Sequence, residues 1–165
     1  MDILEAGMSE EKIRALTLEM IHKESTMSLA TANDNTAWAA PVYYVLHRSA
    51  FYFFSSPDSR HVLEALKSKQ AAATIYPCAS TWRGIRGIQM SGSVIPSTPG
   101  LEAVRSIKAY LDKFPFTKDF FAPGQSINLE SLGKRFRVKL YKFVPHLIYY
   151  LDNEIKFGFR GEVTL

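Results

Sequence analysis

Five side chains able to hold an anion fall within one short stretch: Ser55, Ser56, Ser59, Arg60 and His61. Hydroxyls donate hydrogen bonds, a guanidinium offers a rigid fork with a permanent charge, and an imidazole adds a donor and, when protonated, a second charge. Ser56 is predicted to cap a helix, with Pro57 at its first position, where no amide hydrogen is needed, and Asp58 at the positive end of the dipole. Arg60 and His61 then face the wrong pole, unless an anion sits there. A helix start with free amides, three serines and an arginine makes a phosphate cradle. The same residues also fit an ordinary capped helix in which Arg60 pairs with Glu64 one turn on, in the weaker orientation for such a pair.

Other chemistry is sparse. His22, His47, His61 and His146 are scattered, and none stands at metal-ligand spacing from a second His, Cys or carboxylate. Cys78, the single cysteine, can form no internal disulfide and is expected to be a packed thiol rather than a nucleophile. There is no phosphate-binding Walker loop, no dinucleotide glycine fingerprint and no nucleophile elbow, because Ile88-Gln89-Met90-Ser91-Gly92 lacks the first glycine of that motif. An enzyme with so little of its own chemistry would rely on a bound cofactor.

The elements that must position these residues can be read along the chain. A helix is predicted over 9–24, capped by Ser9, with Ile13, Leu16, Met20 and Ile21 on one face. Strands follow at 27–32, at 38–46 after the turn Asn33-Asp34-Asn35, and at 51–54, as an antiparallel meander. Pro41 argues for an edge or a bulge. The four aromatics Phe51 to Phe54 suit a strand covered on both faces. After the central helix come strands at 71–76 and 86–95. Gly87 and Gly92 in the latter suggest a bulge, a corner or close approach by a ligand. A helix is predicted over 99–114. An irregular stretch over 115–133 follows, with Phe114, Phe116, Phe120 and Phe121 placed to form a lid, meet a partner subunit or pack locally. A sixth strand over 135–144 is predicted to carry a basic face of Arg135, Arg137 and Lys139. A seventh is predicted over 146–151 after Pro145.

One domain over 1–165 is expected, made of the helix 9–24, a barrel over about 26–151 and a tail over 152–165. Many short antiparallel strands with few helices indicate a small barrel or sandwich. The 165 residues are enough for a core, and a net charge of +4 favours an anionic ligand without indicating nucleic acid. The acidic, non-apolar N-terminus and the absence of a long apolar run lead to the expectation of a soluble cytoplasmic protein. A basic surface of Arg135, Arg137, Lys139 and Lys142 would be the only basis for nucleic-acid binding, and a solvated strand face accounts for it more simply.

Three motifs in order carry a resemblance. SLATAN with the strand AAPVYYV, the unit FYFFSSPDSRHVLEAL and the strand RGIQMSGSV resemble the FMN-binding split-barrel proteins, the superfamily of pyridoxamine 5'-phosphate oxidase. The likeness spans most of residues 25 to 160, and the tail YYLDNEIKFGFRGEV resembles a little-characterised bacterial branch. It implies a mainly β fold with flanking helices, a six- to seven-stranded antiparallel split barrel, with FMN as cofactor and oxidoreductase activity. Ser59, Arg60 and His61 match a Ser-Arg-Lys phosphate motif, with histidine in place of lysine. Ser55 and Ser56 match hydroxyl residues that also touch the cofactor. Pro41, Val42 and Tyr43 match the segment beside the flavin ring. Gly87 stands where the oxidase has a cofactor-binding glutamine, and Gln89 is the nearby substitute. A homodimer is implied, with the flavin at the subunit interface. The oxidase's C-terminal arginine motif is not recognisable, which argues against pyridoxamine phosphate as substrate. Relatives of this fold that hold flavin, haem or deazaflavin without turnover set the alternative, a non-enzymatic binding module.

Overall fold

The computed structural model describes residues 7–165. Its elements run α1 Glu10–Lys23, β1 Thr26–Asn33, β2 Thr36–Tyr43, β3 Val45–His47, β4 Ala50–Ser55, α2 Arg60–Ser68, β5 Ala71–Ile75, β6 Arg86–Pro96, α3 Leu101–Lys113, a 3-10 segment Pro115–Phe120, α4 Leu129–Phe136, β7 Lys139–Asp152 and β8 Arg160–Glu162. All strand pairs are antiparallel, in the order β2-β1-β5-β6-β7-β4-β3, with β8 added on β7.

The two ends of that order, β2 and β3, are consecutive in the chain and are separated only by Tyr44. One bent strand therefore pairs with β1 through its first half and with β4 through its second, and the sheet curls on itself as a split barrel. The predicted three-strand antiparallel meander is present, with its middle strand bent at Tyr44 into β2 and β3. Tyr44 fixes that bend. It is fully buried, its hydroxyl donates to the Ile21 carbonyl at 2.8 Å, and Lys113 Nζ lies 4.0 Å from its ring centroid. The same ammonium donates to the Ile21 and Glu24 carbonyls at the end of α1, and burial lowers its pKa to about 8.

The aromatic strand β4 is covered on both faces, as its composition predicts. Phe51 and Phe53 enter the barrel core with Leu29, Ile75, Ile88 and Phe143. Tyr52 faces a second cluster formed with α3, α4 and the segment between them, including Ile107, Tyr110 and Leu132. Phe114 and Phe121 are buried in that cluster, whereas Phe116, packed on Tyr43, and Phe120, packed on Phe136, remain exposed.

Three expectations about the C-terminal half are overturned. Residues 129–136 form a helix, so Arg135 lies on α4 and Arg137 is its left-handed cap at φ 54°. The alternation of basic and apolar residues over 135–140 imitates a strand, but Asn128 and Ser131 build a reciprocal cap that starts the helix. Lys142 donates to Glu102, so no continuous basic strand face exists. Pro145 does not divide the strand: β7 runs through it and bulges at His146, where the register against Ser91 and Gly92 of β6 shifts by one residue, and a bulge tolerates the missing amide hydrogen. Cys78 is exposed, not packed. No helix among the described residues is long and apolar enough to cross a membrane.

Candidate anion and cofactor site

Ser55 ends β4, four turn residues follow, and α2 begins at Arg60. The predicted helix start at Ser56 and Pro57 is corrected: Ser59 is the N-cap, with extended φ/ψ of -68° and 141°. The four-residue turn from Ser56 to Ser59 is closed by Ser59 N donating to the Ser56 carbonyl at 3.1 Å and Ser59 Oγ donating to the same oxygen at 2.8 Å. Because the Ser59 hydroxyl is used there, it does not cap the helix. The amides of Arg60 and His61, at the first two helical positions, have no hydrogen-bond partner among the described residues.

Three of the five candidate residues meet beside those amides. Ser55 Oγ lies 2.8 Å from His61 Nε2 and 3.0 Å from Ser59 Oγ, and Ser59 Oγ lies 3.3 Å from His61 Nε2. Ser55 is buried, and His61 is half-buried. Burial lowers the His61 pKa, so the imidazole is neutral near pH 7. Ser56 joins through its carbonyl, while its hydroxyl accepts from Asp58 N at 3.3 Å.

Arg60 makes no hydrogen bond to that cluster. Its Nε donates to Glu64 Oε1 at 2.7 Å, which is the pairing predicted for an ordinary capped helix, and its guanidinium lies over the Trp38 ring. Glu64 is buried and accepts a second bond from Thr31 Oγ1 at 2.6 Å. That bond, and then Arg60, hold its carboxyl below the usual range. Glu64 was readable only as a helix partner of Arg60. Thr31 and Trp38 join it through the β1–β2 pairing, which no local pattern announces.

Pro41, Val42 and Tyr43 lie on β2, where Pro41 sits on a strand with a single ladder partner over its length, as predicted for an edge. Val42 turns its side chain into the core, whereas Pro41 and Tyr43 are exposed. Gln89 is exposed on β6 and shares a cross-strand row with Pro41 through Ser28 and Thr74. Three strand spacings, about 14 Å, separate the two. Gly87 has no room for a Cβ, which would lie 2.9 Å from the Ile75 carbonyl oxygen, so its smallness serves strand packing.

No family model matches the chain. A UPF0306 protein of Citrobacter koseri is 27% identical over 112 residues, covering 67% of this chain and 76% of the relative. Among solved structures, a Listeria innocua protein provisionally named pyridoxamine 5'-phosphate oxidase superposes with a TM-score of 0.61 at 15% identity, over 86% of this chain and 97% of that one. An FAD-binding protein of Mesorhizobium loti gives 0.60 at 13% identity, over 81% and 90% of the two chains. HutZ, the haem storage protein of Vibrio cholerae, gives 0.65 at 12% identity, over 81% and 90%. At these identities the likeness is one of fold, and it agrees with the barrel closed through β2 and β3: the chain has the split-barrel fold that these solved structures share.

Proposed function

We propose that this protein is a flavoprotein that grips FMN by its phosphate at the turn between β4 and α2 and acts as an oxidoreductase. The observation that carries the reading is the meeting of Ser55, Ser59 and His61 beside the unbonded amides of Arg60 and His61. The two free amides suit a phosphate monoester, the dipole of α2 adds to them, and Ser55 and His61 place further polar groups beside the turn. When bound, FMN supplies a ring that accepts hydride. The chain's own residues bind and orient: the turn holds the phosphate, the exposed strand from Pro41 to Tyr43 runs beside the ring, and Tyr43 with Phe114 and Phe116 shields it from water. Gln89 is too far along its row to reach the same ring from the same chain, so it reaches the ring of a flavin held by a second copy. That distance and the resemblance both support a homodimer with the cofactor at its interface. With no arginine motif in the tail, the substrate is a molecule other than pyridoxamine phosphate.

A haem-holding module is the second reading, and the likeness to the haem storage protein favours it. The visible absorption spectrum of purified protein, with mass analysis of any small molecule released on denaturation, separates the two. A flavin spectrum with FMN released at about one per chain is the expected result. A Soret band transfers the assignment to haem. A colourless protein that fails to take up added FMN, deazaflavin or haem overturns both.

A further inference from the structure

The guanidinium of Arg60 is fixed from two sides. Nε donates to Glu64 Oε1 at 2.7 Å, and the planar group lies 4.6 Å from the Trp38 ring centroid. Glu64 is itself oriented by the buried Thr31, which donates to its other oxygen at 2.6 Å. Thr31 and Trp38 are direct cross-strand partners in the β1–β2 ladder. One hairpin therefore supplies both the ring under the guanidinium and the hydroxyl that sets the carboxylate.

An ordinary surface pair at this spacing needs neither support. Such pairs are exposed at both ends and contribute little to stability. Here the carboxylate is buried, and a buried carboxylate is costly unless its oxygens are bonded, as both of these are. The Arg60 side chain stays 43% exposed, and its Nη groups have no hydrogen-bond partner among the described residues. With Nε occupied, the edge formed by the two Nη groups is the bidentate edge that remains, and a paired fork of donors is the geometry that suits phosphate. Arg60 is also the first helical residue after the turn that carries Ser59.

We propose that Glu64 and Trp38 are positioning residues. They hold the Arg60 guanidinium as a fixed fork whose Nη edge is presented to the phosphate, so that preference for FMN over unphosphorylated riboflavin depends on them. The inference rests on the flavin reading given under Proposed function and adds to it the device that selects the phosphorylated cofactor.

The test is titration of FMN and of riboflavin into the wild-type protein and into the Glu64→Gln and Trp38→Leu variants, followed by flavin fluorescence. Wild type is expected to prefer FMN. Each variant is expected to lose about tenfold in FMN affinity, the size of one charge-assisted hydrogen bond, with riboflavin affinity unchanged. Trp38 is partly exposed, so its replacement leaves the core intact. Parallel loss for both flavins reduces the pair to a structural role and overturns the proposal. Tighter FMN binding by Glu64→Gln also overturns it, because the carboxylate would then only oppose the phosphate. A wild type that binds FMN with the usual preference while both variants keep that preference rejects the positioning role alone. A wild type that binds neither flavin rejects the flavin reading, and the positioning role with it.

Discussion

His61 decides how the turn meets an anion. Burial makes the imidazole neutral near pH 7, where Ser55 and Ser59 surround its Nε2. A phosphate dianion beside it favours the imidazolium, so binding takes up a proton. FMN affinity should therefore rise as pH falls from 8 toward 6, and His61→Gln should flatten that rise; a variant profile as steep as wild type would place the proton elsewhere. The same shift acts on stability. The folded pKa lies below the unfolded value of about 6.5, so the unfolded chain takes up the proton first on acidification. This contribution is complete above about pH 6.5 and is lost as pH falls through the folded value; the midpoint of urea unfolding against pH, in wild type and His61→Gln, measures it. Ser55→Ala removes the hydroxyl that bridges Ser59 and His61 and should cost about 1 kcal/mol of stability along with flavin retention. These three residues were legible because hydroxyls and an imidazole within one turn are close however the turn folds. The supports of Arg60 were not, because Thr31 and Trp38 reach it through strand pairing far away in sequence.

At the scale of elements, legibility followed the strength of the local period. α1 and β4 lie where their patterns placed them, the first through its capped apolar face and the second through its run of aromatics. α4 was missed because alternation over six residues looks like a strand, although Leu129, Leu132 and Phe136 stand at helical spacing and Asn128 with Ser131 signals the cap. β7 was divided in two because a proline inside a strand ordinarily ends it. What permits Pro145 is the bulge beside it, where His146 has no partner on β6. Gly92 was expected to mark a bulge, a corner or a close approach; the register shift falls beside it, and its own reason is steric. A Cβ there would stand 2.2 Å from the Val144 carbonyl oxygen and 2.9 Å from Pro145 Cα, and backbone cannot swing aside as a flexible side chain can. Gly92→Ala should therefore destabilise by about 1–3 kcal/mol, the usual cost of overpacking, and lower the melting temperature. A variant that melts with wild type would mean that β6 and β7 separate freely at the bulge.

At the scale of the molecule, the sheet has an uncovered outer face. Ala30, Ala39, Ala72 and Ser91 form a cross-strand row of small, uncharged residues on it, and Pro41, Ser28, Thr74 and Gln89 form the next. Leu29, Ala73 and Met90, their neighbours along the strands, point into the core, so these rows face outward. A face with little side-chain entropy to lose suits close contact with a copy of itself, and in the proposed dimer the roughly 14 Å between Pro41 and Gln89 would give that contact a purpose, since each chain would lend its glutamine to the flavin of the other. Sedimentation equilibrium should find a dimer. Ala72→Arg places a charge in the middle of the first row, between Ala30 and Ser91, and should shift the protein toward monomer while releasing FMN and riboflavin alike. Loss of both flavins is what distinguishes this variant from those at Glu64 and Trp38, which act on the phosphate alone. A wild-type monomer that retains one FMN per chain would remove Gln89 from the site and leave the phosphate turn and β2 as the whole of the cofactor's hold.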